Sequence, residues 1–208
     1  MTSPETKVII FGHSYIHWLE QYQRKHRPNL KLNRGEFKLF FQGIRGGQFA
    51  WTPQSKSKFQ KKELHSYLSA SVKSFKPDIV YLQIGTNDLD RRKCDVTLLA
   101  KKMETLASFL LTGYDSITSV CIGHAFKRLK PKVGYGEYER RRLLFNNKLS
   151  EIGASNRRIN VFPNRGFYNN VDSLYDLKGV HLSDTGNLKF AKNLKRSLIF
   201  ARDKSKVS

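Results

Sequence analysis

The sequence predicts one α/β domain built on a parallel β-sheet of about five strands. Three observations support this: short continuous apolar runs, helical periodicities between them, and segments rich in Gly, Asn, Ser or His directly after several runs. Apolar runs without alternation are typical of strands that are buried on both faces. Strands that alternate with helices form right-handed crossovers, so the pattern indicates a doubly wound α/β sandwich.

The elements can be assigned in chain order. The predicted strands are residues 8–11, 37–41, 78–84, 117–122 and, as the shortest candidate, 159–162. The predicted helices are residues 16–22, 59–75, 96–111, 137–152 and 187–201. The loop 127–136 contains Pro, Gly and several basic residues, and we expect it to be the most mobile excursion.

Length and composition favour a single globular domain. The 208 residues are 39% hydrophobic and 12% aromatic, enough for a substantial core. We expect the domain to span residues 5–203, followed by a short basic tail at 204–208. No apolar run reaches the ~18 residues of a membrane helix, and the polar start of the chain does not resemble a secretory signal. Two cysteines, Cys94 and Cys121, are too few for a disulfide framework, so an intracellular protein of the cytoplasm or nucleus is expected.

The charge of the chain is strongly positive. Lys and Arg number 38 against 17 Asp and Glu, which gives a formal net charge of +21. The densest basic clusters are residues 56–62, 91–93, 127–132, 140–142 and 192–206. Such an excess either solvates the surface or attracts polyanions, above all nucleic acid in a non-specific manner. Both interpretations stay open from composition alone.

Four segments that could carry chemistry follow the apolar runs or precede the last helix. They are Gly-His-Ser at 12–14, Gly-Ile-Arg-Gly-Gly at 43–47, Gly-Thr-Asn-Asp at 85–88 and Gly-Val-His-Leu-Ser-Asp at 179–184. In open α/β sheets, sites form where the carboxyl ends of the strands meet the following loops. Each segment alone is typical of a cap or a turn. Together, in this order, they supply a nucleophile, oxyanion donors and a base.

The set Gly12-His13-Ser14, Gly46, Asn87 and His181 resembles the four blocks of SGNH hydrolases, also called GDSL-type esterases and lipases. The resemblance runs from Val8 to Phe190, and the Gly-Thr-Asn-Asp block is its most specific part. It implies a three-layer α/β/α, flavodoxin-like fold. It also implies hydrolysis of esters, thioesters or acetyl groups without a metal or other cofactor. Related domains also occur in proteins encoded by mobile genetic elements, beside nucleic-acid-binding segments.

The resemblance implies a role for each matched residue. Ser14 would attack the acyl carbonyl of a small acyl-ester substrate, and His181 would act as general base. The backbone N–H groups of Ser14 and Gly46, with the side-chain amide of Asn87, would bind the oxyanion. Ser14 also begins a predicted helix, whose dipole favours developing negative charge.

Two positions depart from the family pattern. His13 stands where the family usually has Asp, a position that mainly shapes the turn. Lys178 stands three residues before His181, where the family has the Asp that orients the base. A cation there would lower the pKa of His181 and offers no acceptor for its ring N–H. Asp176 could replace the missing carboxylate if the loop is offset, a backbone carbonyl could hold the ring, or the site could act as a dyad.

The sequence therefore leaves two functions open. The first is a serine-dependent esterase or thioesterase that uses Ser14 and His181. The second is a catalytically degenerate scaffold that acts as a basic, nucleic-acid-associated module. An unrelated flavodoxin-like or nucleotide-binding domain is disfavoured, because the loop after the first strand has neither a Gly-x-Gly-x-x-Gly nor a phosphate-loop lysine motif. The sequence does not indicate an oligomeric state.

Overall fold

A computed structural model describes residues 5–49 and 64–206. Its five strands form one sheet in the order β2-β1-β3-β4-β5, and every neighbouring pair is parallel. The strands are β1 (Thr6–Gly12), β2 (Phe37–Gly43), β3 (Ile79–Gln83), β4 (Ser119–Gly123) and β5 (Ile159–Phe162). The predicted α/β class, the parallel sheet and the positions of all five strands are confirmed.

Helices cover both faces of the sheet. They are α1 (Ser14–His26), α2 (Leu64–Phe75), α3 (Thr86–Leu89), α4 (Val96–Gly113), α5 (Tyr135–Ser155) and α6 (Asp184–Ser205), with short 3₁₀ turns at Pro28–Lys31 and Asp172–Leu174. One apolar core joins α2, α4 and α5 to one face, and a second core joins α1 and α6 to the other. Alternate residues of β1 enter opposite cores: Ile9 lies in the first and Ile10 in the second. The three-layer arrangement follows from this alternation.

The last helix is longer than its apolar periodicity predicts. Ser183 caps its amino end by accepting a hydrogen bond from the Gly186 N–H, so α6 begins at Asp184. At the other end the helix continues to Ser205, and Lys204 donates to the Asn160 side-chain oxygen at 2.8 Å. Residues 204 and 205, expected in the basic tail, are therefore helical.

The loop at 127–136 is packed against its neighbours, contrary to its expected mobility. The Leu129 N–H donates to the Gly179 carbonyl at 2.9 Å, and the Lys132 N–H donates to the Asp90 carboxylate at 2.6 Å. The side chain of Arg128 is buried. Composition suggested a solvated loop, but these long-range bonds fix the backbone between the segments after β3 and before α6.

Two further expectations concern membrane-spanning helices and the basic cluster 56–62. Within residues 5–49 and 64–206, no helix combines the length and apolar character needed to cross a bilayer. The basic cluster 56–62 and the first part of the predicted helix 59–75 lie outside the described residues, and α2 is described from Leu64 onward.

Candidate active site

Ser14 lies at the carboxyl end of β1 and is the first residue of α1. Its side of the sheet is the topological switch point, because β1 pairs with β2 on one edge and with β3 on the other. Ser14 is 7% exposed. A Cβ at Gly43 would lie 2.1 Å from the His17 backbone nitrogen, so only glycine lets α1 pack this closely on the end of β2.

His13, which replaces the family's usual Asp, is fully buried beside the site. Neither of its ring nitrogens has a hydrogen-bond partner among the described residues. Burial, together with the nearby charges of Arg128 and His181, lowers the pKa of His13 to about 3. His13 is therefore neutral at physiological pH and contributes its backbone carbonyl, which accepts the N–H of Ile16 at 3.1 Å in the first turn of α1.

Gly46 occupies the exposed corner of a turn after β2. The Gly47 N–H donates to the Ile44 carbonyl at 3.1 Å and closes the turn, and Gly46 has a φ of +70°. A positive φ at this corner favours glycine over any residue with a side chain. The Ile44 N–H in turn donates to the Gly12 carbonyl at 2.8 Å, so the glycine turn is tied to the strand end that precedes Ser14.

Asn87 lies on the short helix α3 and holds the glycine turn. Its amide nitrogen donates to the Gly47 carbonyl at 2.8 Å, and its amide oxygen accepts from an Arg128 guanidinium nitrogen at 2.5 Å. The next residue, Asp88, accepts the Phe49 N–H with both carboxylate oxygens, at 2.9 and 3.0 Å. Asp88 thus fixes the backbone of the loop that follows the glycine turn.

A buried ion pair lies behind Asn87. The Arg128 guanidinium donates to the Asp90 carboxylate, and the two side chains are 6% and 3% exposed. Asp90 also accepts the backbone N–H groups of Lys132 and Val133, at 2.6 and 3.2 Å. Because Arg128 bonds both Asp90 and Asn87, it fixes the orientation of the Asn87 amide.

Sequence reasoning missed this pair. Arg128 belongs to a lysine-rich stretch of a Pro- and Gly-containing loop, which is typical of a solvated surface. Its partners lie about forty residues earlier, after β3. No local pattern distinguishes Arg128 from its basic neighbours.

Asp176 and His181 face each other across a tight turn. The Gly179 N–H donates to the Asp176 carbonyl, and the Asp176 N–H donates to the His181 carbonyl, both at 2.8 Å. One Asp176 carboxylate oxygen lies 3.7 Å from His181 Nδ1, and the other accepts the backbone N–H of His181 at 3.3 Å. The turn therefore brings a carboxylate five residues away to the ring, as the offset alternative requires, while Lys178 lies exposed in the same turn.

The environment of His181 favours its neutral form. Burial lowers the pKa of His181 below its ordinary value of 6.5, Asp176 opposes this shift, and Arg128 and Arg45 reinforce it. The direction is the one expected from Lys178, but its largest cause is desolvation. A histidine with a lowered pKa is unprotonated at neutral pH, which is the form that a general base needs.

Direct contacts join the His181 segment to α1. The Tyr15 hydroxyl donates to the Val180 carbonyl at 2.7 Å, and the Tyr15 and His181 ring centroids are 6.4 Å apart. The Trp18 ring, 38% exposed, lies 6.1 Å from the His181 ring, and the Arg45 guanidinium lies 5.6 Å from the Trp18 centroid. Trp18 and Arg45 therefore lie at the mouth of the site.

The structure thus brings the sequence-predicted residues Ser14, Gly46, Asn87, Asp176 and His181 to one end of the sheet. His124, which follows β4, lies apart from this group: its Nε2 is 3.1 Å from the Ser150 hydroxyl on α5. Ser14 follows β1 at the start of α1, the glycine turn follows β2, Asn87 follows β3 on α3, and His181 lies in the loop before α6. This arrangement places a serine and a histidine at the carboxyl edge of an α/β/α sandwich.

Comparison with known proteins identifies the family. The model of the GDSL-like lipase/acylhydrolase family matches residues 42–194. The chain belongs to this family and so to a class of carboxylic ester hydrolases, as its four sequence blocks indicated. The matched range contains Gly46, Asn87, Asp176 and His181, and Ser14 precedes it. No curated protein matches the chain.

Solved structures share the fold at low sequence identity. An aryl esterase of M. smegmatis is 16% identical with a TM-score of 0.69, and the match covers 94% of this chain and 99% of that one. The psychrotrophic esterase EstA from Pseudoalteromonas sp., inhibited by monoethylphosphonate, is 12% identical with a TM-score of 0.69, over 96% and 100% of the two chains. A carbohydrate acetylesterase family member from Sinorhizobium meliloti is 11% identical with a TM-score of 0.67, over 94% and 98%.

Proposed function

We propose that the protein hydrolyses acetyl-ester, other short acyl-ester or thioester bonds with Ser14 as nucleophile and His181 as general base. Asp176 orients His181 through Nδ1. The oxyanion is bound by the backbone N–H groups of Ser14 and Gly46 and by the side-chain amide of Asn87.

The proposed reaction has two half-reactions. The Ser14 hydroxyl oxygen attacks the acyl carbon while His181 Nε2 takes its proton, and the carbonyl oxygen becomes an oxyanion. The intermediate collapses as the bond to the leaving alcohol or thiol breaks, and His181 returns the proton to that group. A water molecule, deprotonated by the same histidine, then releases the acid and regenerates Ser14.

The observation that carries the proposal is the position of Asp176. A carboxylate oxygen 3.7 Å from His181 Nδ1 supplies the partner that Lys178 cannot, and it favours the tautomer in which Nε2 is the base. This contact favours the offset carboxylate over the dyad and the backbone-carbonyl alternatives. The second N–H of the Asn87 amide, beyond the one bonded to Gly47, is the donor assigned to the oxyanion.

Hydrolysis of p-nitrophenyl acetate and butyrate by the wild-type protein and by Ser14→Ala tests the proposal. The matched control is Ser150→Ala, whose hydroxyl bonds His124 outside the site. We expect turnover by wild type and by Ser150→Ala, and none above background by Ser14→Ala. A phosphonate ester should label the protein once, at Ser14, by peptide mass spectrometry. Turnover that survives Ser14→Ala would refute the assignment.

A second candidate function is non-specific nucleic-acid binding, which the net charge of +21 favours. One basic surface lies at the opposite, amino end of the strands, where Arg157, Arg158 and Lys204 line a groove of about 250 Å³. This surface is separate from the strand ends that carry Ser14. The two functions therefore do not exclude each other.

Fluorescence anisotropy with mixed-sequence RNA and DNA oligonucleotides across a salt series tests the second function. Binding through phosphate contacts should weaken by orders of magnitude between about 50 and 200 mM salt. Affinity that does not change with salt, or no binding at low salt, counts against it. Nucleic-acid binding without Ser14-dependent turnover would instead favour the degenerate scaffold.

A further inference from the structure

A large cavity opens directly beside the proposed oxyanion donors. Its volume is about 960 Å³, and Gly46 and Asn87 form part of its wall. A carbonyl oxygen bound by these two residues would place one of the ester's substituents in this space. The chemistry of the cavity therefore bears on which substrates the site accepts.

The lining of this cavity is predominantly cationic. Six lysine and arginine side chains face it, against two carboxylates, Asp90 and Glu137. Both carboxylates are held by arginine: Asp90 by the buried Arg128, and Glu137 by Arg140 and Arg141. The acidic groups are thus neutralised within the wall, and the cavity keeps an excess of positive charge.

Hydrogen bonds hold the backbone that carries the basic residues at the rim of the cavity. The Arg141 side chain is buried and donates to the backbone carbonyls of Leu89 and Arg91, at 3.1 and 2.5 Å. These bonds hold the turn that presents Arg92 and Lys93, both exposed, at the rim of the cavity. Lys132 lies on the other wall, and its backbone N–H is bonded to Asp90.

From this arrangement we infer that the enzyme is selective for esters that carry an anionic group, a carboxylate or a phosphate, which binds in the cavity beside Gly46 and Asn87. The inference rests on the proposed function, because it places the ester carbonyl at those donors. A cluster of cations around a concave site focuses its field on an incoming anion and raises the rate of association. The anion can belong to the acyl part or to the alcohol part of the ester.

The experiment compares kcat/KM for matched esters. The acyl arm uses the p-nitrophenyl ester of succinate against its neutral methyl ester, and the alcohol arm uses 3-acetoxybenzoate against methyl 3-acetoxybenzoate.

The cavity variant is Arg92→Ser/Lys93→Ser. The control, Lys192→Ser/Arg196→Ser, removes two exposed charges from α6. We expect wild type to prefer the anionic ester in one arm, and the cavity variant to lose about five- to tenfold on that ester alone. The arm that shows the preference identifies the part of the ester that bears the anion.

The outcomes separate this inference from the proposed function. Ser14-dependent turnover with no preference in either arm would overturn the inference and leave the function standing, as would equal losses in the cavity and control variants. If no ester is turned over, calorimetric titration of Ser14→Ala with the anionic and neutral esters still decides the inference. Tighter binding of the anionic ester, weakened by Arg92→Ser/Lys93→Ser and by salt, supports it, and equal binding refutes it.

Discussion

The two sides of Ser14 are built with different rigidity. On the oxyanion side, Asn87 is clamped between the Gly47 carbonyl and Arg128, and Arg128 forms a buried ion pair with Asp90. On the base side, one carboxylate oxygen of Asp176 lies 3.7 Å from His181, and both side chains are about one third exposed. The oxyanion side is held by several short, buried, charge-assisted bonds, whereas the base side depends on one longer, solvated contact.

This difference indicates how the departure from the family pattern is accommodated. Buried charge-assisted hydrogen bonds fix geometry more strongly than an exposed pair, which solvent screens. If catalysis at this site depends mainly on preorganised oxyanion donors, a weakly oriented histidine is tolerated. Substitutions on the two sides of Ser14 test that ranking.

The largest effect is expected on the oxyanion side. Asn87→Ala removes the proposed oxyanion donor and the bond to Gly47, and kcat for p-nitrophenyl acetate should fall by roughly 10²–10³. Steady-state kinetics beside Asn147→Ala, an exposed asparagine on α5, provides the matched comparison. A loss below tenfold would remove Asn87 from the proposed machinery.

Arg128 should affect catalysis through the hydrogen bonds that position Asn87 more than through its positive charge. Arg128→Lys keeps the cation but cannot bond Asn87 and Asp90 together, so we expect kcat to fall by about tenfold or more while KM changes little. Urea denaturation should report a loss of about 1–3 kcal/mol in the free energy of unfolding, because a buried polar network is left incomplete. Arg165→Lys, at an exposed site, should change neither kcat nor the free energy of unfolding. Full activity in Arg128→Lys would mean that the Asn87 amide needs no such support.

Asp176 should contribute less than Asn87. Loss of a buried orienting aspartate costs about 10⁴ in kcat in serine proteases, but Asp176 is partly solvated, so we expect about tenfold for Asp176→Asn. The pH profile gives a second readout. With His181 as the proposed general base, kcat/KM should fall with decreasing pH, and the midpoint of that fall should lie below 6.5 in wild type. Because Asp176 raises that pKa, Asp176→Asn should move the midpoint to lower pH. A loss larger than that of Asn87→Ala would reverse the comparison.

The sequence predicted the framework of this site better than its internal bonds. Five apolar runs place the strands, and the Gly-rich and Gly-Thr-Asn-Asp segments were located directly after two of those runs. The short helix α3 that carries Asn87 was not predicted. The Arg128–Asp90 pair could not be predicted, because it joins residues 38 positions apart through tertiary packing. Asp176 remained one of three alternatives, because its approach to His181 depends on how the turn folds, including the bond from the Asp176 N–H to the His181 carbonyl.

The smallest effect is expected from restoring the family's residue at position 178. Lys178 is exposed, and the turn already directs Asp176 toward His181, so Lys178→Asp should change kcat/KM by less than about threefold. A new carboxylate nearby should raise the pKa of His181 and move the midpoint of the pH profile slightly upward. Lys130→Asp makes the same charge change on the facing loop, where the Lys130 side chain bonds the Leu177 carbonyl, and controls for the local field. A gain of a hundredfold or more in Lys178→Asp alone would mean that His181 is essentially unoriented in the natural protein, and that Asp176 does not act as its partner.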